Sequence, residues 1–517
     1  MQADRRDRTF GFSDPEAFAR MRSVLAAAGF TEGEVASALG GDKLRSVSGQ
    51  DVPILLRRTG GGTPLDTLIR LFLIGVPVDA GSCRTAIDPM TLEDWAAAGL
   101  VAVEGESVAA AVQLLPYQEL WLASDRPQKI ASGLAVDYVM GIGSSSLTLA
   151  NLTIRRPSRR TLDLGTGCGL QAFLAARHSV EVVAADRNPR AVAFAAFNAR
   201  VNGLDNVECL EGDLFEPVRG REFDLVVSNP PFVISPETRY IYRDSGMRGD
   251  AISQTIVRQV PALLAEGGFC QILCNWAHLA GQDWRDRLAE WVAGTGCDAW
   301  AMCSETLDAA GYAAKWIRHT ERDSPEQFHR RLEEWLAYYE QAGIEAVSGG
   351  LITIRRRSGA AHWFRADDAP PKMLGPAGDG ILLGFALRDY LEAARSDEVL
   401  LAERFRVFPD VSLQQRYEHG SGGWCLAESE LQIRRGLAYA GSVDPYVARL
   451  LARCDGRVPL GELLRELAES LGQDPAVITA ACLDVVRRLV ERGFLIPAAH
   501  WQGCPGWECL PGRAPSG

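Results

Sequence analysis

The chain has 517 residues, 47% of them hydrophobic and 23% charged, which excludes a disordered protein. It is too long for one ordinary domain, and at about 100–200 residues per domain two to four are expected. Its net charge of -12 excludes capture of nucleic acid by bulk electrostatics, so an RNA or DNA substrate would need a local basic patch.

In chain order, the start from Met1 to Phe10 is charged and unlike a secretory signal. Helices are expected over Phe18 to Ala28 and over Thr31 to Leu39, the latter with Thr31 as N-cap and Glu34 three residues on. A more apolar helix is expected over Pro64 to Ile74 after Gly60-Gly61-Gly62, and another begins at Thr91 with Glu93 and Asp94 in its first turn. Leu100 to Val103 and Ser107 to Leu115, joined by Glu104-Gly105-Glu106, read as a β-hairpin. Helices followed by a hairpin predict a winged-helix-like module over residues 1–127. Its acidic turn favours protein docking or covering of a cofactor over phosphate contact. Asp137 to Asn151 is then a small-residue loop leading into a helix, with Gly141, Gly143 and Ser144 as candidate cofactor neighbours.

The most informative stretch follows. Thr161 to Leu164 is a short apolar strand, Gly165-Thr166-Gly167-Cys168-Gly169 a glycine turn, and Leu170 to Arg177 a helix. Alternate glycines let the backbone take positive φ and approach a ligand that a Cβ would push away. The next strand, Val180 to Ala185, ends on Asp186, where an α/β sheet holds the hydroxyls of a bound ribose. After the helix Arg190 to Asn202, the strand Val207 to Leu210 leads to Asp213, which can accept the exocyclic amine of an adenine. Asp163 and Thr166 in the glycine segment, Arg187 beside Asp186 and Leu214 beside Asp213 complete the candidate cofactor contacts. The apolar strand Phe223 to Val227 then ends in Ser228-Asn229-Pro230-Pro231-Phe232.

This ordered series resembles the S-adenosylmethionine-dependent methyltransferases of the Rossmann-like class, in the subgroup with an Asn-Pro-Pro-(Tyr/Phe) motif. The resemblance covers roughly Asp137 to Arg365. It implies a mainly parallel seven-stranded sheet over residues 128–368, S-adenosyl-L-methionine as cofactor, Gly165, Gly167 and Gly169 as the cofactor loop, Asp186 on the ribose and Asp213 on the adenine. It also implies Asn229, Pro230, Pro231 and Phe232 as the catalytic motif, with Asn229 touching the cofactor site as well. Subgroup members methylate planar conjugated nitrogens, either a glutamine amide or an exocyclic amine of adenine or guanine. Such a nitrogen is a poor nucleophile until its two hydrogens are held, and the Asn229 side-chain oxygen with the Pro230 carbonyl can accept both. Phe232 can pack on the flat group, and two prolines stiffen the turn. Arg243-Asp244-Ser245-Gly246 further resembles the release-factor glutamine methyltransferases of the HemK type, whereas the segment around Gly141 departs from their usual pattern.

Past this motif, a helix is expected over Ile252 to Leu264 and a strand over Phe269 to Cys274, with Trp276 and His278 following it as rim residues. Cys270, Cys274 and His278 share a strand face and read as core packing, not a metal site. Helices Trp284 to Val292 and Pro325 to Gln341 should cover the sheet, and Leu351 to Arg355 with Ala361 to Phe364 should close it. Asp367 to Gly380 reads as a linker. Strand-like Gln432 to Gly436, helices Pro445 to Cys454, Leu460 to Leu471 and Asp474 to Arg492, and a strand after Gly493 predict a second winged-helix-like module over 381–499. The tail, 500–517, with His500, Cys504 and Cys509, is expected to be disordered and without zinc.

For the acceptor, the acidic charge and the HemK resemblance favour a protein, such as a translation factor. RNA or DNA is the alternative, through Arg155-Arg156 with Arg159-Arg160 or through Arg355-Arg356-Arg357. A cofactor-binding scaffold without turnover is the reading from a different class. Twelve cysteines without a paired framework point to a reducing compartment, and no uncharged apolar run reaches the roughly 20 residues of a membrane span, so a cytoplasmic protein without membrane contact is expected.

Overall fold

The computed structural model describes residues 10–42, 49–126, 136–237, 240–320, 324–359, 361–420 and 422–499. The chain divides into two compact units, Met1–Leu149 with Pro157–Asp367, and Ala150–Arg156 with Asp368–Gly517. The candidate zinc residues His500, Cys504 and Cys509 lie outside the described residues.

The first unit opens with α1 (Pro15–Ala27), α2 (Glu32–Ala38), α3 (Val52–Arg58) and α4 (Pro64–Leu68). α4 runs on as a wider π-helical turn through Ile74, which ends at Gly75 in the left-handed region. Thr31 caps its helix as expected, with Glu34 N donating to Thr31 Oγ1, and Thr91 in addition forms a reciprocal box with Asp94. β1 (Val78–Asp79), α5 (Ala80–Ile87), α6 (Leu92–Ala97), β2 (Val101–Glu104) and β3 (Ser107–Ala110) follow, with strand order β1-β3-β2. The expected hairpin therefore ends earlier than its sequence suggested. Residues up to Leu115 do not continue β3 but start a second hairpin, β4 (Gln113–Tyr117) with β5 (Leu120–Ser124). The apolar run hides this break, which falls where Ala111 N closes back on the Leu100 carbonyl.

The main sheet combines β6 (Ser158–Leu164), β7 (Ser179–Asp186), β8 (Val207–Glu211), β9 (Phe223–Ser228), β10 (Leu264–Leu279), β11 (Cys297–Asp308), β12 (Ile344–Arg356) and β13 (Phe364–Asp368). Its order is β8-β7-β6-β9-β10-β12-β11-β13, parallel from β8 to β10, with β12 antiparallel to both neighbours. This is a Rossmann-like mixed sheet, but of eight strands and not seven, because β13 is added at the far edge. Strands such as Phe223–Ser228 read as continuous apolar runs because helices cover both faces. Between the strands run α7 (Ser144–Leu152), α8 (Leu170–Ala176), α9 (Pro189–Val201), α10 (Ala251–Gln259), α11 (Trp284–Val292), α12 (Ala309–Thr320) and α13 (Pro325–Ala342). One core lies among β6, β9, β10, α10 and α11, with Leu162, Val226, Ile256 and Trp291 at its centre.

Three features position the site. Chain order reverses between β6 and β9, and their register pairs Leu164 with Ser228, so Gly165 and Asn229 leave the sheet side by side. β10 outruns β9: its last pair with β9 is Ile272 to Ser228, and Leu273 to Leu279 continue against β12 alone. Trp276 and His278 are thus inside β10 and not beyond it. Finally, β5 is docked on α9 by two asparagines one turn apart. Asn198 exchanges hydrogen bonds with Ala123 and Asn202 with Trp121, all at 2.8–2.9 Å. Arg190 adds a forked ion pair to buried Asp125 at 2.6 and 2.9 Å.

The second unit holds β14 (Met373–Leu374), α14 (Gly378–Ala393), α15 (Asp397–Ala402), β15 (Arg404–Val407), β16 (Val411–Gly420), β17 (Gly423–Ile433), β18 (Gly436–Leu437) and β19 (Ala440–Ser442). It ends with α16 (Pro445–Arg453), β20 (Asp455–Pro459), α17 (Leu460–Leu471), α18 (Pro475–Glu491) and β21 (Leu495–Pro497). The three late helices fall where the apolar periodicity put them, whereas the long hairpin β16–β17 was read only at its final residues.

Candidate functional site

A cleft of about 1600 Å³ opens over the carboxyl ends of β6, β7, β8 and β9. That exceeds the ~300–1,000 Å³ of a single small-ligand site, so it has room for two ligands meeting. Its lining includes Asp163, Gly165, Thr166, Gly167, Asp186, Arg187, Asp213, Leu214, Asn229, Pro230, Pro231 and Phe232 from the sequence-derived set, and also Gly141, Gly143 and Ser144. Gly169 is not in the lining. It starts α8 at φ +94°, and an added Cβ would sit 2.2 Å from the Phe173 ring, so helix packing by itself requires a glycine here.

At one end of the cleft, the turn after β6 is built from its own polar atoms. Gly165 and Gly167 take φ +76° and +56°, and the Gly165 and Thr166 amides both donate to the Ala185 carbonyl at 2.8 and 3.0 Å. Asp163 is buried below the turn and accepts from Thr166 Oγ1 at 2.6 Å and Ala172 N at 3.0 Å. Burial pushes its pKa up to about 7 despite these hydrogen bonds. Asp186 accepts from Gly167 N and Asn188 N, both at 2.9 Å, which spans the turns after β6 and β7; burial raises its pKa. Each carboxylate oxygen keeps a second lone pair for a ligand hydroxyl. Asp213 is exposed beside Leu214, which holds φ +46°, an uncommon value for a residue with a side chain.

At the other end, the Asn229 side chain donates from Nδ2 to Ser145 Oγ at 3.3 Å, while its Oδ1 is buried with no hydrogen-bond partner among the described residues. A buried acceptor left unpaired costs about 1–3 kcal/mol unless something fills it, so it marks where a donor belongs. Pro230 is buried, and Phe232 meets Trp316 edge-on with ring centroids 6.3 Å apart. The chain after Phe232 is clamped to the α12–α13 hairpin. Ile234 N donates to Tyr312 Oη at 3.2 Å, and its carbonyl accepts from Tyr339 Oη at 2.7 Å. Glu237 accepts from Arg331 at 3.0 Å and Arg243 at 2.6 Å. The Arg243 side chain is only 1% exposed and also grips Asp244 at 2.8 Å. Asp244 additionally accepts from Ser235 Oγ at 2.9 Å and Tyr240 N at 3.1 Å. Asp244 and Arg243 thus fasten the loop, while Ser245 meets Arg187 through its carbonyl at 3.3 Å.

Residues that sequence reasoning missed cluster on this side. Tyr312, Lys315 and Trp316 of α12, Ser304 and Glu305 of β11, Asn275 of β10 and Ser145 of α7 all line the cleft. Asn275 donates to Tyr312 Oη at 2.7 Å, and Lys315 pairs with Glu305. The one available signal was the i, i+4 spacing of Tyr312 and Trp316 on a short amphipathic helix.

Elsewhere, His278 Nε2 shares a hydrogen bond with Ser348 Oγ at 2.7 Å, and burial lowers its pKa. Cys270 and Cys274 are packed in the core. Most of the two arginine clusters is tied into the fold, while Arg159 is exposed. Arg355 and Arg357 converge on fully buried Asp298 at 2.6 and 3.0 Å, Arg356 donates to the Pro261 and Leu264 carbonyls, and Arg160 pairs with Glu181 at 2.7 Å. Arg155 donates to the Ala150 carbonyl at 2.8 Å. No helix among the described residues is long and apolar enough to cross a membrane.

Comparison with known proteins places the same stretch. The methyltransferase small domain family matches residues 140–283, and two families described only as domains of unknown function match residues 27–111 and 384–497. The release factor glutamine methyltransferase of Escherichia coli (strain K12) is 35% identical over 132 residues, 23% of this chain and 47% of that protein. The one from Xylella fastidiosa (strain 9a5c) is 35% identical over 179 residues, 28% of this chain and 65% of that protein. A Methanocaldococcus jannaschii protein named for N5-glutamine methyltransferase activity is 35% identical over 136 residues, 25% of this chain and 68% of that protein. The chain spans about half the length of the first of these relatives.

Proposed function

We propose, from the premise that this chain belongs to the HemK-like S-adenosylmethionine-dependent methyltransferases, that it methylates the side-chain amide nitrogen of a glutamine in a protein. The observation that carries this reading is the buried, unpartnered Oδ1 of Asn229 at the end of β9. It is an acceptor waiting for an N–H, set where the parallel register brings it beside the glycine turn.

The residues present fit S-adenosylmethionine. The positive-φ glycines keep side chains off the turn, Asp186 retains lone pairs for the ribose hydroxyls, and Asp213 with Leu214 borders the place for the adenine. Thr166 and Arg187 complete that seat, and Asp163 acts through the turn by holding Thr166. When bound, the cofactor supplies an electrophilic methyl group. The chain's own part is to hold and orient: Asn229 Oδ1 and the Pro230 carbonyl accept the two amide hydrogens, which leaves the nitrogen lone pair directed away from both. Phe232, backed by Trp316, packs against the flat amide. No base is needed before attack, since the nitrogen sheds its proton afterwards.

A protein acceptor is favoured because five of the seven arginines that would hold phosphates, Arg155, Arg160 and Arg355 to Arg357, are engaged within the fold. The names of the relatives point the same way, toward a release factor. The flanking regions, 1–127 and 381–499, are proposed as winged-helix-like modules that choose the acceptor. A cytoplasmic location fits the described cysteines, which are free thiols.

The test is tritiated methyl transfer from S-adenosylmethionine to a purified release factor of the same host, and to a variant with its target glutamine replaced. Label on the first and not on the second is expected. In a whole lysate, label that survives protease and is released by nuclease would assign the acceptor to a nucleobase amine instead. No label anywhere would favour a binding scaffold without turnover.

A further inference from the structure

The second unit carries a feature that the methyl-transfer reading leaves unused. β16 pairs with β17 over its whole length, from Val411 opposite Ile433 to Gly420 opposite Gly423. Its outer edge has no strand partner among the described residues, and from Leu413 to Gly420 every residue is exposed. A row of unpaired N–H and C=O groups is a template for strand addition, which proteins commonly blunt with charged side chains, a proline, a bulge or a very short strand. Of these β16 has only the charges. The hairpin's irregularity lies on the other strand, where Ala427 is the extra residue between the pairs Arg416–Glu428 and Tyr417–Leu426. The outer edge of β17 is in turn partly covered, since β19 pairs with Glu430 to Gln432.

The charges on β16 select a partner. Arg416 and Glu418 flank Tyr417 and form an ion pair within the strand, with side chains 54% and 63% exposed. If two β16 strands lie antiparallel about a two-fold axis at Tyr417, each Arg416 falls opposite the other copy's Glu418, and the two tyrosines face each other. Centring the pair on Arg416 or on Glu418 would instead set like charges together. Opposite charges and aromatic pairs across strands contribute about 0.2–1 kcal/mol each, and like charges cost similar amounts. The edge is therefore complementary to itself in one register.

We propose that β16 is a homodimerisation edge, joining two copies of this chain antiparallel about Tyr417 so that the two three-stranded sheets become one of six strands. Such an isologous contact closes on itself and does not propagate into fibres.

Sedimentation velocity of the full chain from micromolar to submillimolar concentration tests this. A monomer–dimer equilibrium is expected for the wild type. Glu418→Arg and Arg416→Glu should each weaken it about tenfold or more, because two like-charge pairs replace two opposite ones. Glu418→Arg is the cleaner of the two, since Arg416 also pairs with Glu428 at 3.0 Å. The exchange variant Arg416→Glu/Glu418→Arg restores complementarity and should recover dimerisation, which also shows that the single variants did not simply misfold. A wild type that stays monomeric throughout, a Glu418→Arg protein that dimerises like the wild type, or an exchange variant that fails to recover would each overturn the proposal.

Discussion

The two ends of the cleft are built on opposite principles. Around Gly165 to Asp186 the backbone satisfies itself: turn amides, Asp163, Asp186 and the Ala185 carbonyl bond to one another, and the parts come from a short stretch of chain. Around Asn229 an acceptor is left without a partner, and the walls come from β10, β11, α12 and a loop clamped to α13. A pre-satisfied seat suits a ligand that is always the same. An end with an open valence suits a reaction partner that arrives and leaves, and whose identity the surrounding elements can change without disturbing the seat.

If this division is real, substitutions at the two ends should separate binding from turnover. The largest effect is expected for Asn229→Ala: turnover falls about 10²–10³-fold, the scale for losing one preorganised polar contact, while calorimetry shows nearly unchanged cofactor affinity. Equal losses in both would merge the two ends into one. Next is Arg243→Met, which leaves buried Asp244 without its cation, while half-buried Glu237 keeps Arg331. Breaking a buried pair costs about 3–5 kcal/mol, so chemical denaturation should show a loss of that order, and methyl transfer should fall further than cofactor binding.

Asp186→Ala sharpens the contrast from the other side. Losing a charged hydrogen-bond partner is worth about 1.5–3 kcal/mol, so cofactor affinity should drop about 10–100-fold, with most turnover regained at saturating cofactor. The last expected effect concerns pH. Burial raises the folded-state pKa of Asp163 to about 7, so the folded protein holds this proton more tightly than the unfolded chain does. That contribution is complete below about pH 4, the unfolded carboxylate range, and is lost as pH rises toward 7. Denaturation across this window should show the wild type losing stability relative to Asp163→Asn. Parallel profiles would mean that Asp163 stays charged.

The same contrast decides what could be read from the chain beforehand. The seat is contiguous from Arg159 to Phe232, and each strand end announces itself by a glycine or an acid, so its placement follows from spacing alone. The acceptor side is scattered: β11 and α12 carry no motif, and Tyr312 and Trp316 gain meaning only when β12 brings the helix back beside Phe232. Gly169 is the opposite case, because a glycine needed for packing on Phe173 looks in sequence like one needed for a ligand. The closing strand was expected over Ala361 to Phe364 but lies at Phe364–Asp368, and the hairpin β16–β17 was read only at its end, because short or polar strands lack a firm period of two. β3 was drawn too long because alanines and valines continue across a break that only hydrogen bonding reveals.

The overhang of β10 beyond β9 has a consequence for how this protein should age and vary. Leu273 to Asn275 at the start of this overhang supply one wall of the acceptor end, yet they are locked into the main sheet against β12, where Gly350 leaves no room for even a methyl group beside the Met302 carbonyl. The α12–α13 hairpin, by contrast, is inserted between β11 and β12 and rests on the sheet through side chains. On warming or in deuterated water, the amides of β10 and β12 should be among the last to open, while those of α12 exchange early. Drift in sequence should follow the same gradient, leaving the β10 wall nearly fixed while the inserted helices are rewritten around it.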